Sequence, residues 1–403
     1  MSKAPRRAQE PVLLRKVRQT AERAPKLVAG PIAARLLWAD SLGAKTMSVF
    51  VQTPDVRVLI DPGASAMQPS FPLEEPVRDQ FKLAALETIA AWAKKADVVV
   101  ITHYHHDHYA SVAEGLEIYR DKQLLVKDPN RWINRSQWHR ARTFFQELGQ
   151  ELGGRLSVQK PLAVDVPPAE KMFPEALGKD FGSYAERRRQ VLRKGERRLA
   201  ELRKLWQSEE WLAPGRLAHV QVEFADGRTF AYGGTQLRFT HPLFHGVEYA
   251  TVGWVLAVVV ECGGHKLLFS SDLQGPTIED YASWILRERP DVLILDGPPT
   301  YLFGQLVNRV NLERAIANAV RLAENLPDTT ILYDHHLPRD PDFRQRMGPL
   351  FQHSFPRRRA PLETLAEWCG LRPLAEELGT RDSGKGRRAM SECCSTPADP
   401  QPP

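Results

Sequence analysis

One histidine-rich stretch constrains the fold of this chain more than any other feature. Residues 102–108 read Thr-His-Tyr-His-His-Asp-His and directly follow an apolar, β-branched run, Val98–Ile101. Such a run predicts a buried strand, so the histidines lie at the strand's carboxyl end. A histidine-rich surface loop is the alternative, but four of the twelve histidines fall here in an ordered pattern. The stretch therefore predicts a metal site.

The ligand types in this stretch favour zinc or a similar ion. The pattern His103-x-His105-x-Asp107-His108 combines imidazole and carboxylate groups, which bind Zn²⁺ and its borderline neighbours. On extended backbone His103 and His105 face the same side, and a turn returns Asp107 and His108 beside them. Two adjacent ligand sets in so short a span suit two metal ions ~3.5–4 Å apart.

Length and composition set broad limits. The 403 residues are 42% hydrophobic and 26% charged, which is ordinary for a globular protein. No apolar run approaches the ~20 residues of a membrane span, and the basic N-terminus is followed by no apolar signal-peptide core. The four cysteines show no Cys-x-x-Cys spacing. We therefore expect a cytoplasmic protein in a reducing compartment, without a membrane partner.

Strand and helix patterns alternate through most of the chain and predict an α/β fold. We expect a basic flexible arm over residues 1–31, with room for one short helix, and a folded domain over 32–378. A tail over 379–403, which has no apolar stripe, is expected to be disordered.

A helical, basic insertion is predicted over residues 145–215. A helix pattern runs from Tyr184 to Trp211, and nine of the eighteen residues in Arg187–Lys204 are Arg or Lys. This run predicts either a solvated helix face or contact with the phosphates of a nucleic acid. The segment Asn130–Trp138 interleaves aromatic and basic residues, which is typical either of a helix with aromatics packed inward or of base stacking.

The histidine motif resembles the first metal motif of the metallo-β-lactamase superfamily. The resemblance covers about residues 32–365 without the insertion, and it implies a four-layer αβ/βα sandwich with a dinuclear site along one edge of the two sheets. The flanking segments Ser271–Pro276, Gly297–Leu302 and Asp334–Leu337 look like an uncharacterised branch that is similar to ascorbate-phosphate lactonase-like proteins.

The resemblance also implies the remaining ligands, each at the end of a predicted strand. His245, preferred to His241, would complete the shell of the first metal, and Asp272 would bridge both ions. His335 or His336 would complete the second; His335 is preferred because it directly follows the strand, although adjacent residues face opposite sides. Asp61, in Asp-Pro-Gly, would orient a metal-bound histidine, unless that tripeptide is simply a turn.

These expectations together indicate a metal-dependent hydrolase. The implied cofactor is a pair of divalent ions, most readily Zn, with Fe or Mn as alternatives. A metal-bound hydroxide would cleave an ester-like bond (lactone, thioester or phosphoester) of a small substrate, with Asp107 and Asp272 as catalytic residues. The alternative is an RNA- or DNA-cleaving phosphodiesterase of the tRNA-processing type that holds the backbone with Arg187–Lys204. A non-catalytic metal-binding protein is a third interpretation, against which the large ligand set argues.

Overall fold

The computed structural model of the chain describes residues 10–382. The first nine residues of the predicted arm and residues 383–403 of the predicted tail lie outside the described residues. Within them, no helix combines the length and the apolar character that a membrane crossing requires.

The strand predicted before the histidine motif, Val98–Ile101, is present and is one of nineteen strands in the described residues. In chain order they are β1 (Leu27–Ala29), β2 (Ile32–Ala39), β3 (Met47–Gln52), β4 (Arg57–Ile60), β5 (Val98–Ile101), β6 (Gln123–Val126), β7 (Val158–Gln159), β8 (Trp211–Leu212), β9 (Gly215–Leu217), β10 (Val220–Phe224), β11 (Thr229–Tyr232), β12 (Thr235–Phe239), β13 (Leu243–Phe244), β14 (Trp254–Val255), β15 (Val258–Cys262), β16 (His265–Phe269), β17 (Val292–Asp296), β18 (Thr330–Asp334) and β19 (Leu362–Glu363).

The helices include several single turns. In chain order they are α1 (Val12–Glu22), α2 (Glu75–Ala93), α3 (Val112–Tyr119), α4 (Arg135–Leu152), α5 (Ala169–Met172), α6 (Pro174–Gly178), α7 (Ala185–Ser208), α8 (Glu279–Glu288), α9 (Arg309–Asn325), α10 (Phe343–Arg346), α11 (Gly348–Gln352), α12 (Leu365–Trp368) and α13 (Leu374–Asp382).

Two mixed sheets form the centre of the described residues. The first has the strand order β1-β2-β3-β4-β5-β6-β10-β9, and the second has the order β11-β12-β15-β16-β17-β18-β19. Helices α2 and α3 pack together beside the first sheet, α8 and α9 pack together beside the second, and β1 and β2 contact β16. One continuous hydrophobic cluster joins these layers. The predicted four-layer α/β sandwich is confirmed.

Parallel strand pairing determines where the polar residues collect. In the first sheet β4, β5 and β6 are parallel, and in the second β16, β17 and β18 are parallel. Parallel strands end at a common edge, and in open α/β sheets ligands bind outside the carboxyl ends of the strands. The residues that follow these strands therefore share one side of the molecule.

The structure corrects the predicted boundaries at the N-terminus. Residues 10–31 were expected in a flexible arm, but α1 buries Leu14, Val17 and Ala21 in the core, and β1 pairs with β2. The three buried residues recur at helical spacing, so the helix has one apolar face to bury.

The insertion begins later than position 145. Helix α4 continues to Leu152 because Phe144, Phe145 and Leu148 are buried along one of its faces. Helix α4 therefore packs into the core across position 145. In the segment Asn130–Trp138, Trp138 is buried and Trp132 packs against Trp206, as expected of inward-packed aromatics.

Candidate metal centre

Strained backbone turns follow three of the strands that point at the centre. Asp61, Ser271 and His335 have φ values of +50°, +52° and +64°, in the left-handed region that disfavours residues with a Cβ. Gly63 lies in the same turn as Asp61, and a Cβ on it would be 2.2 Å from the backbone nitrogen of Tyr109. The turns thus bring segments of both sheets against the histidine motif.

Four predicted ligands form a first cluster. His103, His105, His245 and Asp272 each offer one ligand atom, and these atoms all lie within 4.8 Å of one another. His103 Nε2 is 3.0 Å from His105 Nδ1, and Asp272 Oδ2 is 3.0 Å from His245 Nε2 and 3.5 Å from His103 Nε2. The geometry is that of side chains converging on one point.

A second cluster uses the other oxygen of the same aspartate. Asp272 Oδ1 is 3.1 Å from His108 Nε2 and 3.5 Å from His335 Nε2. The two imidazole nitrogens are 3.2 Å apart, and Asp107 Oδ2 is 3.9 Å from His335 Nε2. Asp272 therefore stands between the two clusters, at the position where the resemblance placed a bridging ligand.

His335 and His336 both lie at the centre, whereas His241 does not. His335 belongs to a group with Asp107 and His108 and to a second group with Asp272 and His336. The Nδ1 atom of His336 is 2.8 Å from Asp296 Oδ1, the same kind of contact that His108 Nδ1 makes with Asp61. His241 is exposed and lies against Gly227, outside both clusters.

The side chains present fit divalent metal ions. Asp272 Oδ1 is buried but makes no hydrogen bond of normal geometry, and His245 Nδ1 also has no hydrogen-bond partner. Buried polar atoms normally have partners, and a bound cation would supply one for the carboxylate oxygen. Imidazole and carboxylate donors in this number are typical of Zn²⁺, Fe²⁺ or Mn²⁺.

The histidines of the centre differ in the direction of their pKa shifts. Burial lowers the pKa of His103 well below its usual value and that of His105 to about 3, so both are neutral at pH 7, as metal ligands must be. Burial also opposes the protonation of His108, but Asp272 and Asp61 raise its pKa to about 10. These carboxylates stabilise positive charge at this point, and a metal ion would displace the proton.

Asp61 holds His108 in place, as the resemblance implied for this residue. Its carboxylate accepts hydrogen bonds from the Thr102 backbone nitrogen at 2.8 Å and the Thr102 hydroxyl at 2.6 Å. His108 Nδ1 is 2.8 Å away. A carboxylate behind a ligating imidazole fixes the orientation of the ring.

Further residues that were missed from the sequence contact the predicted ligands, among them Asp40, Asp296 and Gln137. Asp40 Oδ1 is 3.1 Å from His335 Nδ1, Asp296 contacts His336, and the Gln137 amide nitrogen is 3.2 Å from His105 Nε2. Both carboxylates lie at the end of an apolar strand, as Asp61 does, but the resemblance implied a role for Asp61 alone of the three. Gln137 had no such signal; the Asn134 side chain caps α4 by accepting from the Gln137 backbone nitrogen.

A cavity of about 440 Å³ opens onto the centre through His105 and Asp107. Its other lining residues come from the segment before α2, from the histidine motif, from α4 and its N-cap residue, from the loop after β13 and from the segment after β18. They are Lys45, Ser65, His106, Asn134, Ser136, Arg140, Thr251, Val252 and Arg339. His106 is exposed and stacks on Tyr109. A small molecule in this cavity would reach two of the candidate ligands.

Comparison with known proteins agrees with this architecture. The family model described as the metallo-beta-lactamase superfamily matches residues 43–190. A UPF0282 protein of Methanopyrus kandleri is 32% identical over 326 residues, which cover 78% of this chain and 88% of that protein. The chain belongs to the UPF0282 family. It is also a member of the metallo-β-lactamase superfamily, and its two-sheet sandwich is the fold of that superfamily.

Other relatives are similar over the same extent. A UPF0282 protein of Korarchaeum cryptofilum is 31% identical, covering 77% of this chain and 80% of that protein. Among solved structures, the short form of human tRNase Z aligns with a TM-score of 0.34 and 12% identity, over 73% of this chain and 90% of that chain. Superfamily membership indicates a metal-dependent hydrolase, and the UPF0282 name itself carries no function.

Proposed function

We propose that this UPF0282 protein is a dinuclear metal hydrolase that cleaves an ester-like bond of a small substrate. The observation that carries the proposal is the pair of ligand clusters on either side of Asp272, whose two oxygens face different histidines. A structural metal site closes its shell with four ligands, whereas this centre opens into a cavity.

The proposed ligand sets follow the two clusters. His103, His105 and His245 would hold one ion, Asp107, His108 and His335 the other, and Asp272 both. Bound ions of this kind, most readily Zn²⁺, lower the pKa of a bound water to roughly 7 and polarise the bond under attack. Two metal ions that share the Asp272 carboxylate would place the activation of water and the polarisation of the substrate bond together at the inner end of the cavity.

Asp107 is proposed to act both as a ligand and as a proton carrier. Its side chain is 16% exposed, and the Arg339 guanidinium donates to it at 3.3 Å. Burial opposes its ionisation, but the charges of His108 and Arg339 hold the pKa of Asp107 well below its usual value. An ionised carboxylate at the cavity wall is placed to accept a proton from an incoming nucleophile.

Metal analysis combined with a substrate screen tests this proposal. The wild-type protein is expected to bind two divalent ions per chain and to hydrolyse at least one lactone, thioester or phosphoester. His103→Ala should lose both metal and activity, whereas His241→Ala, a histidine outside the clusters, should keep both. Full metal content and activity in His103→Ala would contradict the proposed centre.

The second candidate, a nucleic-acid phosphodiesterase, is favoured by the surface of α7. The basic residues of α7 are largely exposed, and Arg187, Lys194, Arg197 and Arg203 form no ion pair within the described residues. Arg198 donates to the carbonyl of Thr251 at 3.0 Å, and Thr251 lines the cavity. The basic face thus begins beside the cavity mouth.

Salt dependence separates this candidate from the first. A protein that neutralises several phosphates loses affinity steeply as salt rises, with a slope that follows the number of contacts. RNA binding that weakens in Arg197→Gln and Arg203→Gln, with a correspondingly smaller slope, would favour the nuclease. Absent or salt-independent RNA binding would exclude it.

A further inference from the structure

The cavity over the metal centre carries an excess of positive charge. Three cationic side chains, Lys45, Arg140 and Arg339, line it, and the carboxylate among its lining residues is Asp107. Arg339 is already engaged, because it bonds Asp40 and lies 3.3 Å from Asp107. The remaining two cations are not neutralised in this way.

Neither Lys45 nor Arg140 forms an ion pair with any residue in the range 10–382. The Arg140 guanidinium has one hydrogen bond, to the carbonyl oxygen of Tyr104 at 3.4 Å, which satisfies a donor without cancelling the charge. Both positive charges therefore line the cavity without a carboxylate partner among these residues.

The backbone that carries Lys45 and Arg140 is held in place by hydrogen bonds and by packing. Lys45 and Ser65 exchange two backbone hydrogen bonds of 2.9 Å each across an isolated bridge. Arg140 lies on α4, whose buried face packs into the core. A charge held on a rigid element loses less conformational entropy when it binds a ligand than a charge on a mobile loop.

We propose that Lys45 and Arg140 bind an anionic oxygen group of the substrate, a phosphate or a carboxylate, at the mouth of the metal centre. The inference rests on the proposed hydrolase function and narrows its substrate from esters in general to esters that carry a negative group. A neutral lactone or thioester would leave both cations without a partner. Ammonium and guanidinium groups recognise such oxygens through charge-assisted hydrogen bonds.

Binding of small anions to the metal-loaded protein tests the inference. Inorganic phosphate and acetate are titrated into wild type, Lys45→Gln and Arg140→Gln, with metal content measured in each. Each substitution removes a charged hydrogen-bond donor. Each variant should therefore bind the recognised anion roughly 10- to 100-fold more weakly than wild type. Lys16→Gln combined with Arg287→Gln, which removes two exposed charges from α1 and α8, is the matched control and should bind as wild type does.

The two anions show which oxygen group the site binds, and turnover measurements show whether that group belongs to the substrate. A selective loss of phosphate binding assigns a phosphate, and a selective loss of acetate binding assigns a carboxylate. With a substrate pair that differs only by this group, the variants should raise KM for the charged member and leave the neutral one unchanged.

The inference and the proposed function can fail separately. Variants that keep their metals and bind both anions with wild-type affinity overturn the anion site and leave the hydrolase intact. A wild-type protein that binds no metal overturns the proposed function, whatever the anion titrations give.

Discussion

At the scale of single residues, buried carboxylates position the imidazoles of the centre. Asp61 contacts His108, Asp40 contacts His335 and Asp296 contacts His336. Each carboxylate lies at or just beyond the end of a strand, so its position is set by sheet pairing rather than by a flexible loop. Partners of this kind commonly change metal affinity by 10- to 100-fold when they are removed.

Asp61→Asn should weaken metal binding without unfolding the protein. The oxygen of the asparagine amide can still accept a hydrogen bond from Thr102. Its NH₂ group would replace the oxygen that contacts His108 Nδ1 and the Thr102 hydroxyl, and these two groups cannot both accept from it. We expect roughly 10- to 100-fold lower affinity for the metal, measured by competition with a chelator. Asp97→Asn, at an exposed ion pair with Arg57, should match wild type; equal affinities for all three proteins would argue against the role of Asp61.

The sequence was informative at this scale where ligands are close together in the chain. The spacing from His103 to His108 places four candidate ligands on one strand end, so local geometry suffices to bring them together. The preference for His335 over His336 depended on strand register, because a single change of register exchanges their faces. The structure places both side chains in one candidate group with Asp272, and the left-handed φ of His335 is set by tertiary packing.

At the scale of secondary-structure elements, helix α7 is fastened to the loop that carries His245. Gly195 of α7 lies against Tyr249, and a Cβ on this glycine would be 2.3 Å from Tyr249 Cβ. Arg188 of the same helix donates to Glu248 at 2.7 Å. The insertion therefore buttresses the segment between β13 and β14 rather than extending freely from the sandwich.

Gly195→Ala should destabilise the protein, contrary to helix propensity. In an isolated helix, replacing glycine by alanine stabilises the helix by about 1 kcal/mol. Here the added methyl group would collide with Cβ and Cγ of Tyr249 and force α7 away from the loop. We expect a lower midpoint in urea unfolding, by an amount typical of overpacking, about 1–3 kcal/mol. Gly178→Ala in α6, where a Cβ meets nothing within 4 Å, is the control; a stabilised Gly195→Ala would contradict the close packing.

A buried charge network joins the insertion, the loop after β13 and the second sheet's helices. Arg314 on α9 donates to Glu248 at 2.6 Å and to Glu279 at 2.6 Å, and Lys179 of the insertion reaches Glu279 at 2.8 Å. Burial opposes the ionisation of Glu279, but the hydrogen bonds and charge of Arg314, aided by Lys179, lower its pKa to about 2. Glu279 is therefore ionised throughout the neutral range.

This network makes stability depend on acid pH. The pKa of Glu279 is lowered from 4.5 to about 2 on folding, so its contribution is complete above about pH 4.5 and is lost as the pH falls towards 2. The pKa difference corresponds to roughly 3 kcal/mol. Urea unfolding between pH 5 and pH 2 should show a smaller loss of stability in Glu279→Gln than in wild type.

The exposed Glu313→Gln on α9 serves as the control for this measurement. Glu313 pairs with Arg309 at the surface, where ion pairs contribute little. Its profile should follow wild type, and a Glu279→Gln profile that also follows wild type would show that the network does not control acid stability.

At the scale of the whole molecule, the candidate ligands join the two sheets. His103 and His108 follow a strand of the first sheet, whereas Asp272 and His335 follow strands of the second. A cation bound between them would cross-link both halves of the sandwich. Because a metal binds the folded chain in preference to the unfolded one, it adds stability that depends on its concentration.

Removal of the metals should therefore lower the thermal stability. At a free metal concentration of about a thousand times Kd, the expected stabilisation is about 4 kcal/mol, which a chelator would abolish. Thermal unfolding of wild type should shift to a lower Tm with the chelator, and that of His103→Ala should shift little. A wild-type Tm that is unaffected by a chelator shown to strip the metal would contradict this coupling.

The sequence by itself determined the main strands and the histidine motif, because these follow from the period of apolar residues and from groups a few positions apart, whereas the sandwich was implied by the resemblance to a known family. Tertiary structure alone decided that α1 belongs to the core, that Asp40 and Arg339 support His335, and that Lys45 and Arg140 share one cavity. Such pairs are separated by up to 299 positions in the chain. Their meeting depends on how the two sheets pack, and no local pattern records that packing.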